Sequence, residues 1–169
     1  MALTSTMSLA VSAELTSAQD LTTASVPLSF RRAVSLTNGT GAGNADKIFT
    51  DRRTLAASGT EDLDLAGVLL DAFGAAITWA RVKGIFISAA AANTNNVVVG
   101  AAAATQWATL LNATGTLTLR PGSSICAIAG PADATGWEVT AGTGDLLKVA
   151  NSAGSTSVTY DIVIIGASA

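Results

Sequence analysis

The acidic residues Glu61, Asp62 and Asp64 form the one cluster of side chains in the sequence whose types and spacing could do chemistry. On a β-strand, Asp62 and Asp64 would project from the same face about 7 Å apart, which suits acid–base hydrolysis or a calcium ion. The surrounding segment TEDLDLAG alternates like an ordinary strand with one solvated face. The sequence therefore favours a structural role, and leaves a carboxylate-dependent hydrolase and a calcium site as alternatives.

The other residue types that support catalysis are missing or isolated. The 169 residues include no histidine, which removes the most common general base and the most common metal ligand. Cys126 is the only cysteine, so we expect no disulfide, and within SSICAIAG we expect it to be a small buried apolar side chain. The glycine-rich NGTGAGNAD lacks the end of a Walker motif and the strand–loop–helix of a Rossmann motif. We expect no enzymatic activity, no cofactor and no metal.

Three tryptophans, Trp79, Trp107 and Trp137, leave two interpretations open. On one exposed sheet face they would form a stacking platform for sugars, as in a carbohydrate-binding module. Nothing in the sequence brings them together, so anchoring in a core or an interface is favoured for each.

Composition and charge limit the classes of partner. Charged residues make up 12% of the chain and the net charge is −3, which argues against binding nucleic acid through its phosphates. The longest apolar stretch is interrupted by Arg81 and Lys83 and does not read as a membrane helix, and we predict no signal peptide at the N-terminus. A surface rich in Ala, Ser, Thr and Gly loses little side-chain entropy when another protein covers it. The chain is therefore predicted to be a subunit of a larger assembly.

Period-two alternation, interrupted by turn residues, predicts nine to eleven short strands. Within ITWARVKGIFISAA the phase of the alternation changes, which predicts a β-bulge at Lys83 and Gly84. The only plausible helix is AAAATQWATLL, and there is no room for parallel crossovers. The predicted fold is an all-β, antiparallel β-sandwich, jelly-roll-like, with at most one short helix. The predicted strands lie in SLAVSAEL, PLSFRRAVSL, KIFTDRRTLA, TEDLDLAG, ITWARVKGIFISAA, NNVVVG, GTLTLRPG, SSICAIAG, GWEVTAG, DLLKVAN and SVTYDIVIIG.

The region before Pro27 is richer in Ser and Thr than the rest of the chain. We predict that residues 1–26 form an N-terminal arm or a first strand, and that residues 27–169 form the β-sandwich domain. An ordinary first strand is favoured over an arm that pairs with a neighbour.

Two long segments together cover slightly more than half of the chain: TEDLDLAGVLLDAFGAAITWARVKGIFISAAAANTNNVVVG and LRPGSSICAIAGPADATGWEVTAGTGDLLKVANSAGSTSVTYDIVIIGAS. The overall sequence pattern resembles that of small β-sandwich virion proteins of tailed bacteriophages, above all the capsid decoration or cement proteins. The resemblance implies a non-enzymatic subunit, made in the host cytoplasm, that joins the virion and clamps neighbouring capsomers on the outside of the head. It implies the major capsid protein as partner, and self-association as a homotrimer.

For such a role, the contacts with the shell and between copies are predicted to lie in three polar loops and in the arm before Pro27. The alternative is a receptor- or carbohydrate-binding module of a phage head or tail fibre. The loops are NGTGAGNAD, AAANTNN and PADATG, and the candidate contact residues in them are Asn38, Gly39, Asn44, Asn93, Asn95, Asn96 and Asp133.

Overall fold

The computed structural model describes residues 2–169, and over that range the chain is all-β, with twelve strands and no α-helix. Each of the eleven predicted strand segments contains a strand, which confirms the predicted all-β class. The strands are β1 (Ser5–Ala18), β2 (Thr23–Asn38), β3 (Asn44–Ala45), β4 (Lys47–Leu55), β5 (Thr60–Asp64), β6 (Arg81–Ala89), β7 (Val97–Gly100), β8 (Thr116–Leu119), β9 (Ser124–Ile128), β10 (Trp137–Glu138), β11 (Leu146–Asn151) and β12 (Val158–Ala167).

Two antiparallel sheets form a sandwich around one main core. One sheet has the order β10-β6-β12-β4, with β9 also paired to β6, and the other has the order β5-β11-β7-β8. Buried apolar residues from both sheets make up the core between them. The third sheet consists of β1, β2 and the short β3, and lies outside this sandwich. The jelly-roll-like connectivity stays a prediction.

The closing strand β12 lies in the middle of its sheet, between β4 and β6. The alternation of its sequence places Val158, Tyr160, Ile162 and Ile164 in the core, all of them fully buried. Removing a side chain of this size from water stabilises the fold by about 1.5–3 kcal/mol. β12 is therefore a main source of the stability of the sandwich.

The predicted bulge in β6 is confirmed. Along the pairing with β12, Ile165 lies opposite Gly84 and Gly166 lies opposite Val82, so Lys83 has no partner. The extra residue returns Val82 to the face that carries Ile85, and both are buried in the core.

The Lys83 side chain is itself buried and holds a loop. Its Nζ atom donates a hydrogen bond to the backbone carbonyl of Asp133, while Arg81 donates to the carbonyl of Ala134 at 2.8 Å. Burial lowers the pKa of Lys83. The bulge thus places one cation where it fixes the PADATG loop against the sandwich.

Two local predictions are wrong. The segment 101–111 forms no helix, since Ala101 and Thr105 have left-handed backbone angles and Trp107 donates its backbone N–H to the carbonyl of Leu146 at 2.9 Å. Tertiary pairing therefore overrides the helix propensity of the alanines. Cys126 is exposed, not buried, because it lies on the outer face of β9 beside Phe86 of β6.

Candidate interaction surface

The acidic cluster on β5 splits between the two faces of the strand. Glu61 points towards the other sheet, where it accepts hydrogen bonds from Tyr160 Oη at 2.6 Å and from Arg53 Nε at 2.7 Å. Asp62 and Asp64 lie on the opposite face, and the Asp64 carboxylate accepts from the backbone N–H of Ala66 at 2.8 Å. Among residues 2–169 no group of three or more ligand side chains is placed to hold a metal ion. Glu61 thus ties the two sheets together.

Tyr160 supplies a prediction about alkaline unfolding. Burial, and then the hydrogen bond to Glu61, raise the pKa of the Tyr160 phenol. Above about pH 10 the unfolded chain releases this proton and the folded chain keeps it, so the contribution of Tyr160 to the free energy of unfolding should fall by about 1.4 kcal/mol per pH unit. Tyr160→Phe should remove this slope, measured by urea unfolding between about pH 9 and pH 11. Equal slopes in the two proteins would contradict the assignment.

The predicted contact residues Asn38, Gly39 and Asn44 lie together where β2 meets β3. Asn38 Oδ1 accepts from the backbone N–H of Leu3 at 3.0 Å, and Asn44 Oδ1 accepts from the Thr37 hydroxyl at 2.7 Å. Gly39 has a φ of 141°, a conformation that favours glycine. The side chains of Asn38 and Asn44 thus hold the base of the β1–β2 hairpin in place.

Asn93, Asn95 and Asn96 lie at the other end of the sandwich, against residues 151–159. Asn93 exchanges two hydrogen bonds with the backbone of Thr159, at 2.8 and 2.9 Å. Asn95 is buried, and its amide nitrogen donates to Asn151 Oδ1 at 3.0 Å and to two backbone carbonyls. Asn96 uses its backbone N–H and carbonyl, both bonded to Ser152. This cluster closes one end of the fold.

Asp133 caps its own loop, since its carboxylate accepts hydrogen bonds from the backbone N–H groups of Thr135 and Gly136. These bonds lower the pKa of Asp133. A Cβ atom on Gly43 would lie 3.4 Å from the carbonyl of Pro131, so the NGTGAGNAD and PADATG loops are neighbours. The structure therefore brings together two of the three predicted loops and separates the third.

The tryptophans do not share an exposed face. Trp79 and Trp107 are buried in the core, and Trp107 Nε1 donates to the carbonyl of Glu138 at 2.8 Å. Trp137 is half-buried and packs against the same core. The core role predicted for Trp79 and Trp107 is confirmed, and these two cannot stack on a sugar at the surface.

A long hairpin leaves the sandwich. β1 and β2 pair without interruption from Ser5–Leu36 at the base to Ala18–Thr23 at the tip, and every residue from 8 to 33 is exposed. Eleven paired residues at about 3.4 Å each make the projecting part roughly 35 Å long. The boundary predicted between residues 26 and 27 falls inside β2.

The base of the hairpin packs on the outer face of the five-stranded sheet. Val34 and Leu36 are buried there with Ile165, and Met7 packs against the same cluster. A Cβ atom at Gly84 would collide with Met7 Sδ, so the glycine at the bulge permits this close approach. The base thereby fixes the hairpin to the sandwich, which we call the body of the protein.

The two faces of the projecting hairpin differ in chemistry. The register puts the odd residues of β1 and the even residues of β2 on one face, which continues the face that packs on the body through Met7 and Val34. The opposite face is mainly polar and includes Ser12, Ser29 and a Glu14–Ser25 hydrogen bond. We call the uncovered part of the first face the apolar face; its members are Leu9, Val11, Ala13, Leu15, Val26, Leu28 and Phe30.

No protein-family model, curated protein or solved structure matches this chain. In residues 2–169 there is no helix that is long and apolar enough to cross a membrane. The apolar face of the hairpin is thus the feature of the described chain that most needs a functional explanation, because exposed apolar patches of this kind mark sites of association.

Proposed function

We propose that this protein is a structural virion protein, a capsid decoration subunit that binds the outside of a phage head and stabilises contacts between capsomers. The observation that carries the proposal is the hairpin, whose apolar face is uncovered over residues 9–30. A protein that acts alone gains nothing from such a surface, which lowers its solubility. A subunit that is held against other proteins gains binding free energy from it.

The organisation of the body supports a scaffold role. Two of the polar side chains singled out in the sequence are used inside the fold: Glu61 joins the two sheets and Asn95 closes one end. A sandwich fixed in this way loses little conformational entropy on binding, which favours affinity. The low content of charged residues, 12%, also suits a surface that other proteins cover.

The place where the hairpin begins supports the same proposal. The neighbouring NGTGAGNAD and PADATG loops lie at the end of the sandwich where β2 leads into β3 and β4, so they and the hairpin base present one surface. Lys83 and Arg81 hold the second loop by its backbone carbonyls, which fixes its shape. We assign the contact with the major capsid protein to this surface.

A shell offers many copies of the same site, so weak contacts are sufficient. If one assembled unit engages two or more sites, each further contact is intramolecular and raises the overall affinity without any new type of contact. A decoration subunit of this kind needs a rigid platform and does not need a deep pocket.

Addition of the purified chain to heads that lack it tests the proposal. We expect the protein to sediment with the heads at a fixed ratio to the major capsid protein, and to raise the temperature at which the heads release their DNA. Bovine serum albumin at equal concentration serves as the control for trapping. A chain that stays in the supernatant at every concentration would refute the proposed function.

A further inference from the structure

We propose that the apolar face of the hairpin packs against the same face of a second copy of this chain. The pairing would make the decoration subunit a twofold dimer and not the homotrimer that the resemblance implies, and it rests on the proposed function only for its setting. It can be tested in solution without any phage head, so failure of the pairing and failure of head binding are separate results.

The size of the face suits an interface between two such surfaces. Its six large apolar side chains are between 47% and 74% exposed. Together they leave on the order of 500 Å² of apolar surface in water. A standard protein–protein interface buries about 800 Å² on each partner, of which roughly 500 Å² is apolar when the core of the patch is counted. Two copies of this face would therefore cover each other with little remainder.

The shape of the face also suits sheet-on-sheet packing. Ala13 is its one small residue; it lies between Val11 and Leu15 along β1 and opposite Leu28 on β2. The gap above Ala13 can receive a large side chain from a facing ribbon, as in the interdigitated cores of β-sandwiches. Arg32 lies at the basal end of the face beside Leu9, where its long side chain can reach solvent.

A second hairpin fits better than any other apolar surface of the described residues. Six of the twelve exposed large apolar side chains lie on the apolar face, and Leu21 lies at the tip. The remaining five are divided between Val68, Leu70 and Phe73 in one loop and Ile48 and Phe86 on the sheet. Neither group matches the apolar face in area, so pairing with them would leave much of it in water.

The polar face explains why the pairing would stop at two layers. Ser12 faces Ser29 there, and the Ser25 hydroxyl donates a hydrogen bond to Glu14. The polar groups of this face bond to each other or to water, so they need no partner protein. A contact through identical patches is closed by a twofold axis and does not grow into a fibre. The hairpin is therefore built to join one partner ribbon on one side.

Cross-linking at matched positions tests the pairing. In a Cys126→Ser background, Ala13→Cys places a thiol in the apolar face and Ser12→Cys places one on the polar face next to it. We expect a short bis-maleimide, which spans the roughly 10 Å between stacked sheets, to link Ala13→Cys into dimers at least tenfold more than Ser12→Cys. Light scattering should show a mass above that of the monomer. A monomer, or equal cross-linking at the two positions, would overturn the proposal.

Two further variants test whether the apolar face is covered by a second hairpin or by the sheet of a neighbouring copy. Val11→Ser combined with Phe30→Ser should give a folded monomer, with circular dichroism as the check on folding. With Cys126 restored, Ala13→Cys should still link to itself. If it links instead to Cys126, the apolar face lies on the sheet of a neighbour and the hairpin pairing is wrong.

Discussion

A variant in which Asn-Gly replaces residues 8–33 is expected to fold as a stable sandwich, to be monomeric and to lose most of its occupancy on phage heads. The new turn would join Met7 to Val34, which are partners in the native register. The buried cluster at the base keeps Met7, Val34 and Leu36, and none of the removed residues is buried. We expect Tm to change by only a few degrees. Under the proposed function, paired copies would engage the shell through more sites than a monomer, so occupancy should fall at least tenfold.

The matched control keeps the hairpin and changes its polar face. Ser12→Ala with Ser29→Ala alters two residues that face each other on that side, and should leave mass and occupancy as in the wild type. Occupancy is measured by sedimentation with heads, and folding by the thermal transition of the free protein. If the shortened variant binds heads as well as the wild type does, the hairpin has no part in attachment.

The strands could be predicted because the alternation that marks them is local. In β12 the pattern alone identifies the buried residues, and in β6 the change of phase identifies the bulge at Lys83. The absence of a helix at 101–111 could not be predicted from local alternation, since Trp107 pairs with Leu146, more than thirty positions away. Such long-range pairing leaves no mark in the segment itself.

The hairpin shows a second limit of local patterns. Leu9, Val11, Ala13 and Leu15 alternate with polar residues as they would in a half-buried strand, so the pattern predicts which face is apolar. It does not say whether anything covers that face, because the cover comes from elements remote in sequence or from another chain. The one local signal was Arg32, a charge in phase with the apolar residues of β2.

The sequence cannot separate loop residues that face solvent from those that bond within the fold, because runs of asparagine look alike in the two cases. Asn95 and Asn96 are neighbours of the same type, yet one side chain is buried in a network and the other makes no hydrogen bond within residues 2–169. The difference arises from the segment 151–156, which no local pattern connects with them.

Asn95→Ala is expected to lower the free energy of unfolding by about 3 kcal/mol, and so Tm by roughly 10 °C. The amide nitrogen of Asn95 donates to Asn151 Oδ1 at 3.0 Å and to the carbonyls of Ala153 and Thr156 at 3.2 and 2.9 Å, and its Oδ1 accepts from Ser155 Oγ at 2.9 Å. Alanine would remove all four of these hydrogen bonds, each of which contributes about 0.5–1.5 kcal/mol, and the buried Asn151 would lose one of its partners.

Asn96→Ala is the matched control, because Asn96 bonds to Ser152 through its backbone, which alanine keeps. Its effect should stay within about 0.5 kcal/mol, measured for both variants by urea unfolding. If Asn95 only stabilises the fold, the Asn95→Ala variant should be less stable than the wild type and, well below its Tm, should still bind heads. A residue that only contacts the shell should do the reverse. Reduced head binding by Asn95→Ala at unchanged Tm would therefore support the predicted contact role of Asn95 and contradict the stabilising role expected here.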